Sequence, residues 1–254
     1  MNSQRSRIRE MLDGLDGGLV VSCQARPGNP LHGASPMAMM AQASELGGAR
    51  GLRIDGPANV AAVVAITTIP VIATCKVEHP DSRVIVTPTT KSAEDILAAG
   101  AKIVALDATH RRRPNDEHLR DIVDTIHAAG AVAMGDLAHI DDLPHALASD
   151  IDAIGTTLSG YAGDGPVPDE PDFDLLARLI RDSPVPVFAA GRYWTPDQVT
   201  RAFELGALCV VVGTAITNPM AITSRFVNAI ARMSPASVNR PSTSSKATGR
   251  LPRC

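Results

Sequence analysis

Short apolar runs rich in β-branched residues recur along the chain, and helical patterns separate most of them. The runs do not alternate polar with apolar residues, so we expect strands that are buried on both faces, as parallel strands are. Eight such runs lie at residues 18–24, 49–55, 70–76, 102–108, 131–136, 152–157, 186–191 and 208–213.

The segments between these runs carry helix start and stop signals. We predict that Ser92 caps a helix over residues 92–101, and that Pro114 opens a helix over 114–131. Further helices are predicted over residues 35–49, 172–182 and 195–207. Eight strand–helix units in a chain of this length favour an α/β fold of the (β/α)8 or TIM barrel type, with a doubly wound open sheet as the alternative.

The last part of the chain differs in composition from the rest. Residues 234–254 are rich in Ser, Pro and basic residues and contain no acidic residue. Such a composition is typical of a disordered segment. We therefore predict a barrel over residues 1–233 and a disordered tail over residues 234–254.

Composition and charge narrow the classes of partner. The formal net charge of −3 gives no electrostatic reason to expect nucleic acid or an anionic membrane surface. No apolar stretch reaches the ~18 residues of a membrane span, and the first residues lack the apolar core of a signal peptide. The four cysteines show no C-x-x-C spacing, so we expect buried free thiols in a reducing compartment, by default the cytoplasm.

In a TIM barrel the chemistry lies at the carboxyl ends of the strands. Lys76 ends a buried run, so we expect burial and a neighbouring Arg53 to lower the pKa of its ammonium toward neutrality. Such a lysine suits a proton-transfer base or an imine former. A structural lysine paired with Asp136 or Asp107 is the alternative.

Three carboxylates, those of Asp55, Asp107 and Asp136, are predicted to lie near the same mouth. They could hold a divalent cation. Because a lysine and at least one arginine share that mouth and offset the negative charge, we expect no metal site.

Two glycines close the seventh and eighth strands. Gly191 and Gly213, the latter followed by Thr214, suit phosphate binding through backbone N–H groups, as in many barrels. Arg192 would add a charge-assisted donor. Glycine at a strand end is also a simple turn device, which is the alternative. The basic run at 111–113 is typical of a solvated loop.

Several phrases at these strand ends resemble one known family, the N-acetylmannosamine-6-phosphate 2-epimerases. They are GLVVSCQ (18–24), GLRIDG (51–56), ALDAT (105–109), IGTTLSGY (154–161), GRYWTP (191–196) and VVVGTAITNP (210–219). The resemblance spans roughly residues 11–232. It implies a TIM-barrel isomerase that interconverts N-acetylmannosamine 6-phosphate and N-acetylglucosamine 6-phosphate in sialic acid breakdown, without a cofactor.

The resemblance also implies roles for individual residues. It makes Lys76 the main proton carrier, and it places substrate-binding residues at Gln24, Arg53 and Asp136. To these we add Thr157 and Arg192, which follow the sixth and seventh strands.

Three positions depart from the family pattern, and at one of them, Asp55 in place of a glutamate in the second strand, the charge is kept. The other two change the chemistry. Ala190 stands where the family has a glutamate that assists catalysis, and Asn218 stands where it has an arginine that reaches the phosphate. Besides an epimerase, the chain could therefore be a barrel enzyme of changed sugar-phosphate specificity or a non-catalytic sugar-phosphate binding protein. We expect a phosphorylated amino sugar as ligand, with a substrate that lacks the phosphate or the acetamido group as the alternative for an enzyme of changed specificity. A homodimer is possible because barrels often associate.

Overall fold

In the computed structural model, which describes residues 10–163 and 165–232, eight parallel strands close into a barrel in sequence order. The closure is made by β8, which pairs in parallel with β1. This confirms the TIM barrel and excludes the open sheet. The strands are β1 (Gly18–Cys23), β2 (Gly51–Asp55), β3 (Val71–Thr74), β4 (Ile103–Asp107), β5 (Val132–Asp136), β6 (Ala153–Gly155), β7 (Val187–Ala190) and β8 (Cys209–Val212).

Each strand is followed by a helix, and one further helix comes after the eighth. They are α1 (Ala34–Leu46), α2 (Pro57–Val64), α3 (Thr90–Ala98), α4 (Leu119–Ala128), α5 (Leu143–Ala148), α6 (Phe173–Asp182), α7 (Pro196–Leu205), α8 (Thr214–Thr217) and α9 (Pro219–Ala231). The chain divides into two compact units, one ending at Pro219 and one beginning at Met220. The tail predicted at 234–254 lies outside the described residues, so the predicted division after residue 233 stays a prediction.

The cap that we predicted for α3 was wrong. Thr89, not Ser92, caps this helix: its hydroxyl oxygen accepts the Ser92 N–H at 3.2 Å. The Ser92 hydroxyl oxygen in turn accepts the Thr89 N–H at 3.1 Å. Two hydroxyl residues three apart form this reciprocal pair, which satisfies donors at the helix start and moves the helix two residues toward the N-terminus.

The helix predicted over 114–131 also begins later than expected. Residues Pro114–Asp116 form a short 3₁₀ turn in which Asn115 has φ of 56°, and α4 starts only at Leu119. A left-handed residue cannot continue a right-handed helix. Helices α2 and α5 were not predicted, because α2 lacks a polar face and α5 has six residues.

The interior of the barrel is filled by alternate strand residues. The interior cluster contains Val20, Ile72, Ile103, Val132, Met134 and Phe188, and Leu12 and Leu15 from the segment before β1 join it. Side chains of a strand alternate between its faces, so positions two and four further along point to the same interior. This alternation directs Arg53, Lys76 and Asp136 into the carboxyl end of the barrel.

The described cysteines are buried free thiols, as predicted. They are Cys23, Cys75 and Cys209, and Cys254 lies outside the described residues. Burial raises the pKa of both Cys23 and Cys75 to about 11, which keeps them as unreactive thiols near neutral pH. Among the described residues, no helix is long and apolar enough to cross a membrane.

Candidate active site

A buried ion pair spans the carboxyl end of the barrel. The Arg53 guanidinium at the end of β2 donates two parallel hydrogen bonds to the Asp136 carboxylate at the end of β5, at 3.2 and 2.5 Å. Both side chains are almost fully buried, with 4% and 0% exposed. Thr157 after β6 adds a third bond, since its hydroxyl donates to Asp136 Oδ1 at 2.6 Å. Three predicted substrate-binding residues thus form one network in which both Asp136 oxygens accept from protein donors.

Lys76 lies beside this network and is held through its backbone and its side chain. Its N–H donates to Asp55 Oδ1 at 3.0 Å, and Asp55 Oδ1 also accepts from the Thr74 hydroxyl at 2.9 Å. The Lys76 Nζ donates to the amide oxygen of Gln24. Gln24 is fixed in turn, because its Nε2 donates to the Ser22 hydroxyl at 3.1 Å. The ammonium therefore has a defined place at the mouth.

The surroundings of Lys76 favour its neutral form. The Lys76 side chain reaches the solvent in the open mouth, but protein atoms surround its other sides. This partial burial removes water from the ammonium and lowers its pKa. The charge of Asp55 opposes this shift, while the charges of Arg53 and Arg26 lower the pKa further. The direction agrees with the sequence prediction, and a neutral amine can accept a proton.

This shift predicts the order in which lysines react as the pH rises. The exposed Lys91 is a matched control, because its hydrogen bond to Asp95 raises its pKa. A lowered pKa means that the reactive neutral amine appears at lower pH, so reductive methylation of Lys76 should reach its half-maximal rate at lower pH than that of Lys91. Peptide mass spectrometry of the labelled protein across a pH series measures both. Coincident profiles would contradict the lowered pKa.

The remaining carboxylate of the mouth, Asp107, is also engaged. It lies in register with Asp136 on the neighbouring strand. Its Oδ1 accepts from the hydroxyl of Thr109 at 2.7 Å, and its Oδ2 accepts from Arg111 at 2.5 Å. The described residues contain no grouping of His, Cys, Asp and Glu that suits a metal ion. Each of the three mouth carboxylates, counting Asp55, instead binds protein donors.

The basic run at 111–113 separates into three environments. Arg111 binds Asp107, and Arg112 pairs with Asp116 in solvent at 2.5 Å. Arg113 is buried and donates to the backbone carbonyls of Asp107 and Pro88. Only part of this run is therefore the solvated loop that the sequence suggested.

The end of β7 presents a small side chain to the interior. Ala190 is buried in the interior cluster, and its backbone exchanges two hydrogen bonds with the Thr156 hydroxyl, at 2.9 and 2.8 Å. Gly191 follows with φ of +93°, a conformation that favours glycine. No acidic side chain stands at this strand end.

Arg192, which we predicted to bind substrate and phosphate, contacts the loop after β6. Its Nε donates to the carbonyl of Glu170 at 2.6 Å, and its Nη1 donates to the carbonyl of Ser159. The guanidinium also lies over the Tyr161 ring, 5.6 Å from its centroid. In this arrangement the arginine holds the β6–α6 loop.

The end of β8 is joined to the end of β1. A side chain at Gly213 would approach the Ser22 Cβ to 3.2 Å, so the two strand ends touch there. Thr214 begins the short helix α8, and the Thr217 hydroxyl donates to the Ser22 carbonyl at 2.7 Å. Two of the four predicted phosphate-binding residues, Gly213 and Thr214, thus follow the strand that pairs with β1, and Gln24 comes directly after β1.

One residue at the mouth was missed from the sequence. Arg26 is exposed, two positions beyond Gln24, and its charge acts on Lys76. The sequence phrase SCQAR already indicates that Arg26 lies near the mouth, because a glutamine and then an arginine follow the end of a strand.

Comparison with known proteins agrees with the resemblance in the sequence. A family model described as "Putative N-acetylmannosamine-6-phosphate epimerase" matches residues 37–232. A "Putative N-acetylmannosamine-6-phosphate 2-epimerase" from Clostridioides difficile (strain 630) is 41% identical over 220 residues, covering 87% of this chain and 99% of that protein. A protein of the same name from Cutibacterium acnes is 44% identical over 217 residues, covering 84% and 94%.

A solved structure extends the match to three dimensions. The N-acetylmannosamine-6-phosphate 2-epimerase from Clostridium perfringens superposes with a TM-score of 0.84 at 39% sequence identity, covering 86% of this chain and 96% of that chain. The matches in sequence and in structure each extend over most of the chain. The chain belongs to the N-acetylmannosamine-6-phosphate epimerase family.

Proposed function

We propose that this protein is an isomerase that interconverts N-acetylmannosamine 6-phosphate and N-acetylglucosamine 6-phosphate in amino sugar catabolism, including sialic acid breakdown. The observation that carries the proposal is Lys76. Its ammonium has a lowered pKa, bonds to Gln24 and lies beside the buried pair of Arg53 and Asp136. Family membership supports the substrate, since relatives across this chain bear that name.

The chemistry is inversion at C2 of the open-chain sugar, where the C2 hydrogen is acidic because it lies next to the aldehyde. The neutral Lys76 Nζ takes the proton, and the electron pair of the broken C2–H bond forms an enolate with the aldehyde. The Lys76 ammonium then returns a proton to the opposite face of C2, after rotation of the open-chain enolate within the site presents that face, which restores the aldehyde, inverts C2 and leaves the amine neutral. These steps balance without an oxidant, so no cofactor is needed.

We assign supporting roles to the residues around Lys76. Gln24 and Thr157 present polar groups to the sugar. The buried ion pair of Arg53 and Asp136 lies beneath the sugar and holds its charged groups in fixed positions. Both Asp136 oxygens accept from protein donors, so this residue acts on the substrate through Arg53 and Thr157. A preorganised site of this kind holds the substrate in a reactive geometry.

We place the phosphate at the ends of β7 and β8. Gly191 and Gly213 lack side chains that would keep a phosphate from the backbone, and Thr214 adds a hydroxyl. Arg192 is bound to two loop carbonyls, so we give it the role of holding the β6–α6 loop around the substrate.

The two alternatives raised by Ala190 and Asn218 are less favoured. The matches to family members cover 87% of this chain in sequence and 86% in structure, and the pKa of Lys76 is lowered although Ala190 supplies no carboxylate. Binding alone does not require a lysine whose pKa is lowered, whereas proton transfer does.

The proposal is tested by incubating the full chain with each sugar phosphate separately and following both epimers by proton NMR. We expect both reactions to converge on the same ratio of epimers. Tight binding without inversion would instead indicate a binding protein. Faster inversion of a sugar that lacks the phosphate or carries another acyl group would indicate changed specificity.

We further propose a homodimer that covers an apolar groove on the barrel. The groove measures about 360 Å³ and is lined by β1, α1 and residues near α8, among them Leu19, Val21, Leu31 and Met40. Within the unit ending at Pro219, β8 is followed by a helix of four residues, so the outer face of β1 stays partly uncovered. A second copy of the chain would bury this apolar surface.

Light scattering of the purified protein tests the dimer. Ala43→Glu places a charge in the groove, where burial of an unpaired carboxylate opposes association, so we expect a monomer. Ala61→Glu, at another exposed helical alanine outside the groove, should leave the dimer intact. A monomeric wild-type protein would contradict the proposal.

We place the protein in the cytoplasm. The buried free thiols favour a reducing compartment. Cell fractionation tests this.

A further inference from the structure

Arg26 carries a cationic side chain that the rest of the mouth does not neutralise. It lies in the loop after β1, where the Asn29 N–H donates to its carbonyl at 3.0 Å and fixes a turn. Its side chain is exposed. Within residues 10–163 and 165–232, the Arg26 guanidinium makes no ion pair and no side-chain hydrogen bond.

Four other arginines around the mouth, in contrast to Arg26, each have a partner for the guanidinium among the described residues. Arg53 is held by Asp136, and Arg111 is held by Asp107. Arg113 and Arg192 donate to backbone carbonyls. The existing bonds fix the orientation of these four side chains, so turning one of them toward a ligand would break bonds, and for a buried guanidinium this would leave a carboxylate or carbonyl unsatisfied. Arg26 can bind an anion without that cost.

The position of Arg26 is fixed relative to the reacting group and to β8. Gln24, two residues earlier, accepts the hydrogen bond from Lys76 Nζ. On its other side β1 pairs with β8, and Ser22 meets both Gly213 and the Thr217 hydroxyl. The loop that carries Arg26 therefore starts at the end of β1, between β2 and β8, and neither β1 nor β8 contributes a carboxylate there.

We propose that Arg26, in the loop after β1, binds the phosphate group of the substrate at the end of β8. The inference rests on the proposed function, which supplies a phosphorylated sugar. A guanidinium offers five N–H donors in a planar fork that matches phosphate oxygens, and its charge complements the phosphate dianion. The same cation lowers the pKa of Lys76, so it also helps to keep the amine neutral.

The test compares Arg26→Ala with the wild type on phosphorylated and non-phosphorylated N-acetylmannosamine. Loss of a charge-assisted contact should raise KM for the phosphorylated sugar by about 10- to 100-fold. KM for the non-phosphorylated sugar should not change. Because Arg26 also acts on Lys76, the comparison is made on the alkaline plateau of each pH profile. Arg112→Ala, an exposed arginine already paired with Asp116, is the matched control and should keep both constants.

A second variant separates phosphate binding from the effect on Lys76. Asn218→Arg in the Arg26→Ala background restores a guanidinium after α8, the short helix that follows β8, and should recover part of the lost affinity for the phosphorylated sugar. Equal losses on both sugars, without recovery, would overturn the proposal, since Arg26 would then act only through Lys76.

Binding measured without turnover distinguishes failure of this inference from failure of the proposed function. N-acetylglucosamine 6-phosphate is titrated into Lys76→Met and into Lys76→Met/Arg26→Ala, and phosphorus NMR reports the dissociation constants. Weaker binding by the double variant supports Arg26 even if the wild type inverts no sugar. Equal affinity in the two variants overturns the role of Arg26 even if the wild type is an active epimerase.

Discussion

Replacing Lys76 by methionine is expected to abolish measurable inversion at C2, with kcat lowered by at least about 10²–10⁴-fold, the usual contribution of a positioned acid–base group. Methionine keeps the length of the aliphatic side chain but can neither accept nor return a proton. Because the Lys76 side chain is exposed in the mouth, the variant should fold normally. Epimer formation followed by NMR gives kcat, and a thermal melt checks the fold.

The matched control for this variant is Lys91→Met. Lys91 is an exposed lysine on α3 whose partner is Asp95, so its replacement should change neither kcat nor the melting temperature appreciably. A Lys76→Met enzyme within about tenfold of the wild-type kcat would contradict the role of Lys76 as proton carrier.

Replacing Arg53 by methionine is expected to destabilise the barrel by about 3–5 kcal/mol, because it leaves the fully buried Asp136 carboxylate without its ion-pair partner. For a chain of this size, that loss lowers the melting temperature by about 6–20 °C. A thermal melt and urea unfolding measure the change. Thr157 would still donate to Asp136, so we expect a folded but weakened protein at 25 °C.

Two comparisons identify the cause of this destabilisation. Asp95→Asn removes the exposed ion pair to Lys91 and should cost less than about 1 kcal/mol, as exposed pairs do. Arg53→Met combined with Asp136→Asn removes the unpaired charge and should recover part of the lost stability. An Arg53→Met protein that unfolds at the wild-type temperature would show that the pair is not needed for the fold.

Much of the barrel follows from the sequence because its strands are short, continuous and apolar. All eight predicted runs contain a strand, with differences of at most two residues at the ends. The alternation of two residues along a strand also explains why Lys76 and Arg53 both reach the mouth. Helix starts were harder to predict. The capping pair of Thr89 and Ser92 and the left-handed Asn115 depend on local hydrogen bonds and dihedral angles that composition does not specify.

Parts of the site could not be predicted, because they depend on contacts between residues far apart in the chain. Asp136 was expected to contact substrate, yet its pairing with Arg53 joins residues 83 positions apart. Arg192 follows a glycine at a strand end and seemed a phosphate donor, but its partners are carbonyls of the preceding loop. The position of Arg26 shortly after a strand end is visible in the sequence, but its lack of a side-chain partner among the described residues is not.

The most direct test of the account is proton NMR of the wild-type protein with N-acetylmannosamine 6-phosphate in D2O. We expect the C2 proton signal to be lost while the gluco epimer appears carrying deuterium at C2, because in D2O the protonated Lys76 carries two deuterons beside the proton that it has abstracted. We also expect that Lys76→Met shows neither change. No exchange and no epimer over a day at high protein concentration, or inversion by the Lys76→Met protein at the wild-type rate, would contradict proton transfer by Lys76 as the chemistry of this chain.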